Sequence, residues 1–169
     1  TSNRTPRATG DWTGIWIEGA GGDGPAVFDN CVTEYAQSGI VFNNVNFFSP
    51  IVSSLTFRNL SGAALDVTNS TIGQMQDVKV TTAGTGVALT NSMSGMVLRR
   101  VKATDVTTGI RVSGSAVTLE ADTVQDFGSF GVEVTGTVSS VQIQGGCLMT
   151  QVQPSRYGTG TGVRVVSGG

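Results

Sequence analysis

The 169-residue chain contains no histidine. Metal sites and catalytic triads that use imidazole are therefore excluded, and no serine or cysteine has its usual partner base. Cysteine is nearly absent as well: Cys31 and Cys147 are the two present. Charge is sparse, at 13% Asp, Glu, Lys and Arg with a formal net charge of −2, so there is no basic footprint for nucleic acid or an anionic membrane surface. No apolar run approaches the roughly 18 residues that would span a bilayer. No stretch joins helix-forming composition to a 3.6-residue apolar period, which predicts little helix. Proline is rare at four, whereas glycine numbers 24, and many of the glycines recur at regular intervals.

The recurring unit reads small or polar, Gly, apolar, any, apolar. It occurs as Thr13–Ile17, Ser38–Phe42, Ser61–Leu65, Thr85–Leu89, Thr108–Val112, Phe130–Val134 (with Phe in the first place) and Thr161–Val165. From Gly14 to Gly162 the successive glycines lie 25, 23, 24, 23, 22 and 31 residues apart. A self-similar period in the low twenties marks a solenoid. The apolar positions alternate with period 2, and a second alternating run precedes most glycines, as in Leu55-Thr56-Phe57, Val78-Lys79-Val80 and Val117-Thr118-Leu119. Several strands per coil joined by Ser, Thr, Asn and Gly turns describe a parallel β-helix. The repeated glycine is expected where a turn needs φ > 0 or where one coil passes close to the next.

Offsets from the glycines define columns of stacked residues. Asn59, Thr82, Asp105 and Asp126 fall at one corner, where Asn and Asp hydrogen-bond turn backbone. Asn30, Asp77, Arg100 and Asp122 form a second column, in which Arg100 is expected to pair with both carboxylates. Trp16, Val41, Ala64, Ala88, Arg111, Glu133 and Arg164 take the outward place of the unit, and the last three alternate in sign as a ladder of ion pairs would. Ile40, Leu65, Leu89, Ile110 and Val132 are expected to form one inward stack.

The chemistry on offer is thin. Paired carboxylates hydrolyse glycosides at about 5–5.5 Å (retaining) or about 6.5–9.5 Å (inverting). Asp105 with Asp126 fits the first spacing and Asp77 with Asp122 the second, although any β-helix with polar corners generates such pairs by repetition. Trp12 and Trp16, an even number apart on a strand, would both point outward and could stack on sugar rings; the competing reading has them cover an open end. Arg156 and Tyr157 tip a polar insertion within 149–160 and are further ligand-binding candidates. No cofactor is expected: calcium has only the single turn Gly21-Gly22-Asp23-Gly24, which lacks the repeated aspartate a nonapeptide site needs. The cysteines lie five coils apart, roughly 24 Å at about 4.8 Å per coil, too far for a disulfide within one chain.

The runs Thr1-Ser2-Asn3, Gly10-Asp11-Trp12-Thr13-Gly14-Ile15-Trp16-Ile17, Ala26 to Ala36 and Ser38-Gly39-Ile40 resemble the opening coils of secreted bacterial right-handed parallel β-helix repeat proteins of the pectate-lyase-like superfamily. The resemblance, extended by the coil pattern, implies an all-β, single-stranded right-handed parallel β-helix (solenoid) of about seven coils of roughly 23 residues. It would form one domain over 1–169, with 1–11 as an entry loop and the whole a piece of a longer chain. The resemblance also implies an extracellular or cell-surface location. Lyases of that class set calcium-binding aspartates beside an Arg or Lys base on one sheet, whereas Asp77, Asp122, Lys79, Arg100 and Lys102 are scattered here without a compact acidic cluster. The function expected first is a non-catalytic stalk, adhesin or filament segment that binds polysaccharide or cell-surface glycan. A polysaccharide lyase or glycoside hydrolase stands as the alternative. A third is a self-assembly module joined through its ends or sides, since an uncapped β-helix leaves strand edges open.

Overall fold

In the computed structural model the described residues are 7–19, 27–47, 51–92, 95–136, 139–152 and 159–166, and among them there is no helix. Each coil has three sides, and every strand pairs in parallel with its counterpart one coil on.

Face A stacks β2 (Val27–Asp29), β6 (Ile51–Ser53), β10 (Gln74–Gln76), β12 (Met96–Arg99), β14 (Ala116–Glu120) and β16 (Ser140–Gln144). Face B stacks β3 (Val32–Glu34), β7 (Thr56–Arg58), the first parts of β11 (Lys79–Thr90), β13 (Lys102–Ser113) and β15 (Thr123–Thr135), then β17 (Leu148–Thr150). Face C stacks β1 (Ile15–Glu18), β4 (Ile40–Asn43), β8 (Ala63–Thr68), the second parts of β11, β13 and β15, and β18 (Thr161–Val166). Two short strands, β5 (Asn46–Phe47) and β9 (Thr71–Ile72), pair at the corner after face C. Six coils are thus complete on all three faces, with β1 as a leading strand, one fewer than the seven glycine units imply. The alternating runs that read as one strand per coil in the sequence belong to two: Val117-Thr118-Leu119 lies on face A, while Val78-Lys79-Val80 runs along face B.

Each corner is turned by a residue in the left-handed region. The corner from A to B uses Asn30, Ser54, Asp77, Arg100 and Ala121; that from B to C uses Tyr35, Asn59, Thr82, Asp105 and Asp126; that after C uses Asn44, Asn69, Asn91, Gly114 and Gly136. Asn, Asp and Gly dominate because they adopt φ > 0 at least cost. Inside the third corner, Ser70, Ser92 and Ser115 are buried and satisfy the turn backbone: Ser115 Oγ accepts from Ser92 N–H at 2.9 Å, and Ser92 Oγ donates to Val67 O at 3.0 Å. The repeated glycine of face C answers to close approach rather than to φ at most of its positions. A Cβ on Gly86 would stand 2.5 Å from Gly109 O, and one on Gly131 2.5 Å from Gly162 O.

The register corrects three columns. Ile40 pairs with Leu65, so Ala64 rather than Gly62 occupies the glycine place in that coil, and Asp66 rather than Ala64 takes the outward position beside Val41 and Ala88. Leu65 pairs with Val87, so the inward stack is Ile40, Leu65, Val87, Ile110 and Val132, and Leu89 belongs to the neighbouring stack of Phe42, Val67, Val112 and Val134. All of these except Val134 are 0% exposed, and Val134 is 5%. Burying each such side chain contributes about 1.5–3 kcal/mol. Thirdly, Ala121 turns the A-to-B corner, so Asp122 falls one place on, in the inward column of Cys31, Leu55, Val78, Val101 and Cys147.

Candidate functional site

Of the four candidate acids, Asp122 lies inside the stack, fully buried. Its Oδ1 accepts from Val101 N–H at 2.8 Å, its own N–H donates to Cys147 Sγ at 3.3 Å, and Oδ2 has no hydrogen-bond partner among the described residues. Burial pushes this carboxyl up to about 7; the Val101 and Glu120 amides act against that rise and the Glu120 charge adds to it. Asp77 is on the outside, half-exposed, and forms a bidentate pair with Arg100 at 2.6 and 2.7 Å, which holds Asp77 below the usual carboxylate range. Arg100 therefore pairs with one carboxylate, not two. With the wall of the helix between them, Asp77 and Asp122 cannot flank one glycosidic bond, because a one-residue slip turns a strand side chain to the opposite face.

Asp105 and Asp126 do stand in one outer column, one coil apart. Both are held by the protein: Asp105 Oδ2 accepts from Thr82 Oγ1 at 2.9 Å, and Asp126, 4% exposed, accepts from Val152 N–H at 2.7 Å and from Gln125 Nε2 at 3.3 Å. These are the bonds of corner residues. No group of three or more Asp, Glu or Cys side chains that could hold a metal occurs among the described residues.

The two tryptophans part company. Trp16 points outward from β1 and is 56% exposed, but Trp12 is half-buried against the core, with Nε1 donating to Glu34 O at 2.9 Å. Trp12 precedes the strand and bridges to Ala36 at the B-to-C corner, so the even spacing does not put both rings on one face. It lines a cleft of about 330 Å³ at the N-terminal end, with Ile15 and Thr33 at its floor and Arg7, whose guanidinium lies 5.7 Å from the Tyr35 ring centroid, at its rim. Arg156, Tyr157, the turn Gly21–Gly24 and residues 153–158 of the 149–160 insertion lie outside the described residues.

The outer surface of face C carries a polar groove. Ala88 sits between Asp66 and Arg111 in the outward column, and its small side chain opens a shallow groove of about 460 Å³. Thr68 and Thr90 line one side, Thr85 and Thr108 the other. Thr68 Oγ1 donates to Asp66 Oδ1 at 3.0 Å. Arg111 pairs with Glu133 at 2.8 Å, and Arg164 reaches the same carboxylate at 3.6 Å. The groove thus sets Asp66 and Arg111 two coil spacings apart, about 9–10 Å between their Cα atoms, with hydroxyls between them. The sequence reading missed it because Asp66 was out of register. The signal was present in the repeated tails Asp66-Val67-Thr68-Asn69-Ser70 and Ala88-Leu89-Thr90-Asn91-Ser92, which align the two coils by their Thr-Asn-Ser ends.

Residues 38–166 match the family described as right handed beta helix region. No curated protein and no solved structure matches the chain. The matched span covers well over half of the 169 residues, and the chain belongs to this right-handed β-helix family.

Proposed function

We propose that this right-handed β-helix is a non-catalytic segment of an extracellular or cell-surface protein, a stiff stalk, adhesin or filament element that offers face C to glycans. The groove over Ala88 carries the reading. Hydroxyl-lined, shallow and open, it suits a chain of sugar rings, with Thr85, Thr90 and Thr107 exchanging hydrogen bonds with ring hydroxyls and Arg111 meeting a uronate or a ring oxygen. The engagement of Asp77, Asp105 and Asp126 by neighbouring groups and the enclosure of Asp122 favour binding over hydrolysis. The extracellular location follows from the resemblance of the opening coils. Binding to a glycan array by the native chain, with Asp66→Ala and Arg111→Ala each weakening the same ligands, is the expected result. Release of reducing ends or unsaturated products from a bound polysaccharide would replace this reading with the enzymatic one.

A further inference from the structure

Glu133 sets the charge at one end of the groove over Ala88. It is 8% exposed and takes two guanidiniums on one carboxylate, Arg111 Nε at 2.8 Å and an Arg164 amino group at 3.6 Å. Arg164 also lies over the Phe130 ring, 4.8 Å from its centroid. One carboxylate against two guanidiniums leaves this part of the outward column with a net positive charge. Arg111 meets Glu133 through Nε alone, and its two terminal amino groups have no hydrogen-bond partner among the described residues.

Asp66 is the counterpart two coils earlier, on the wall of the same groove. Among the described residues it has no ion pair, and its hydrogen bond there is the one Oδ1 accepts from Thr68 Oγ1, so Oδ2 is open. Ala88 stands between the two charges and brings no polar side-chain atom. Thr85, Thr90 and Thr107 along the flanks donate and accept alike, so they do not select a charge. Selection falls to the two ends. A uniformly acidic chain that satisfies Arg111 carries like charge past Asp66, and a polyamine chain that satisfies Asp66 carries like charge past Arg111. A neutral chain covers both and pairs neither. Like charges repel, and charges stripped of water without a partner oppose binding.

We propose that the ligand of this groove is a zwitterionic glycan, a chain in which amino sugars with free ammonium groups alternate with uronates. It lies along the helix axis over Ala88, with an ammonium on Asp66 Oδ2 and a uronate carboxylate on the terminal amino groups of Arg111. The order of the two charges fixes the direction in which the chain lies. The inference rests on the glycan-binding reading and narrows it. Both protein charges are partly solvated, so each pair contributes up to about fivefold in affinity, and the preference fades as salt is raised.

The experiment measures the affinity of the native chain, just below neutral pH, for four oligosaccharides of equal length. These are alternating glucuronate and glucosamine with free amines, the same chain with its amines acetylated, an all-glucosamine chain, and a neutral N-acetylglucosamine chain. The first should bind about threefold to fivefold more tightly than the second and the third, and the neutral chain should bind more weakly still. Asp66→Asn, which keeps an acceptor for Thr68, should erase the advantage over the acetylated chain, and Arg111→Gln should erase the advantage over the all-glucosamine chain. The ranking by the native chain is decisive even if a variant misfolds. Equal affinity for the zwitterionic and neutral chains overturns the proposal and leaves glycan binding in place, as does tightest binding of the acetylated, uniformly acidic chain. Failure of all four to bind also overturns it, and the glycan array then decides whether the broader reading falls as well.

Discussion

Replacing Asp122 by Asn should flatten the pH dependence of stability. The folded carboxyl titrates at about 7 because burial penalises its charge, against about 3.8 when the chain is unfolded. Between those values the folded state holds a proton that the unfolded state has released, so stability falls as pH rises through this window and changes no further above it. Each pH unit in the window costs about 1.36 kcal/mol, so moving from pH 5 to pH 8 removes about 3 kcal/mol. Asn is close to isosteric. Its Oδ1 retains the Val101 N–H bond, 2.8 Å in the native protein, while the ionisable oxygen becomes an amide. Urea denaturation at pH 5 and pH 8 reads the difference directly: the native protein should lose about 3 kcal/mol between the two, and Asp122→Asn should lose none of that share. An equal loss in both proteins would refute the placement of Asp122 in the core, because a carboxylate on the surface would be ionised in the folded and unfolded states alike.

Three further outcomes test the coil register. Gly86→Ala would drive a Cβ to 2.5 Å from Gly109 O and 3.0 Å from Ala103 Cβ, and should destabilise by at least about 1–3 kcal/mol, visible as a lowered melting temperature. Ser115→Ala strips the buried Ser92 N–H of its acceptor and should cost about 1–3 kcal/mol in urea, whereas Ser115→Thr, which keeps the hydroxyl, should cost less. Arg100→Ala should leave the neutral-pH midpoint nearly unchanged, since its partner Asp77 is exposed beside it. That carboxyl is held low in the fold, so its pairing stabilises above pH 3.8 and is lost as pH falls further, and acid titration of the variant should show a smaller decline below that point.

The architecture was legible in the sequence because the glycine unit repeats a steric demand, not a chemical one. Gly86, Gly109 and Gly131 recur where the backbone of the next coil leaves no room for a side chain, and that demand returns once per coil whatever the outer surface does. The exception misled for the same reason. In the second complete coil Ala64 takes the crowded place, and Gly62 two residues earlier donates its N–H to Gln37 O at 2.6 Å, an unrelated role. Counting from Gly62 displaced that coil by two residues and hid Asp66 from the outward column. The serine ladder inside the third corner escaped notice because Ser70, Ser92 and Ser115 read as turn residues, and only burial distinguishes a serine that satisfies the interior from one that faces water.

The candidate site was less legible, and Asp122 shows why. Nine residues before Gly131 it stands at the same offset as Asp77 before Gly86 and Arg100 before Gly109, so the spacing assigned it to the outside. The fifth coil is one residue longer between that corner and the glycine, the extra residue lying in the irregularity between Phe127 and Phe130, so Ala121 takes the left-handed turn instead. In a corner-turning strand one residue is the difference between solvent and core. The same side chain that would have been half of an inverting pair outside becomes, inside, a carboxyl that keeps its proton near neutral pH and stands beside Cys147 at the coil where the stack opens.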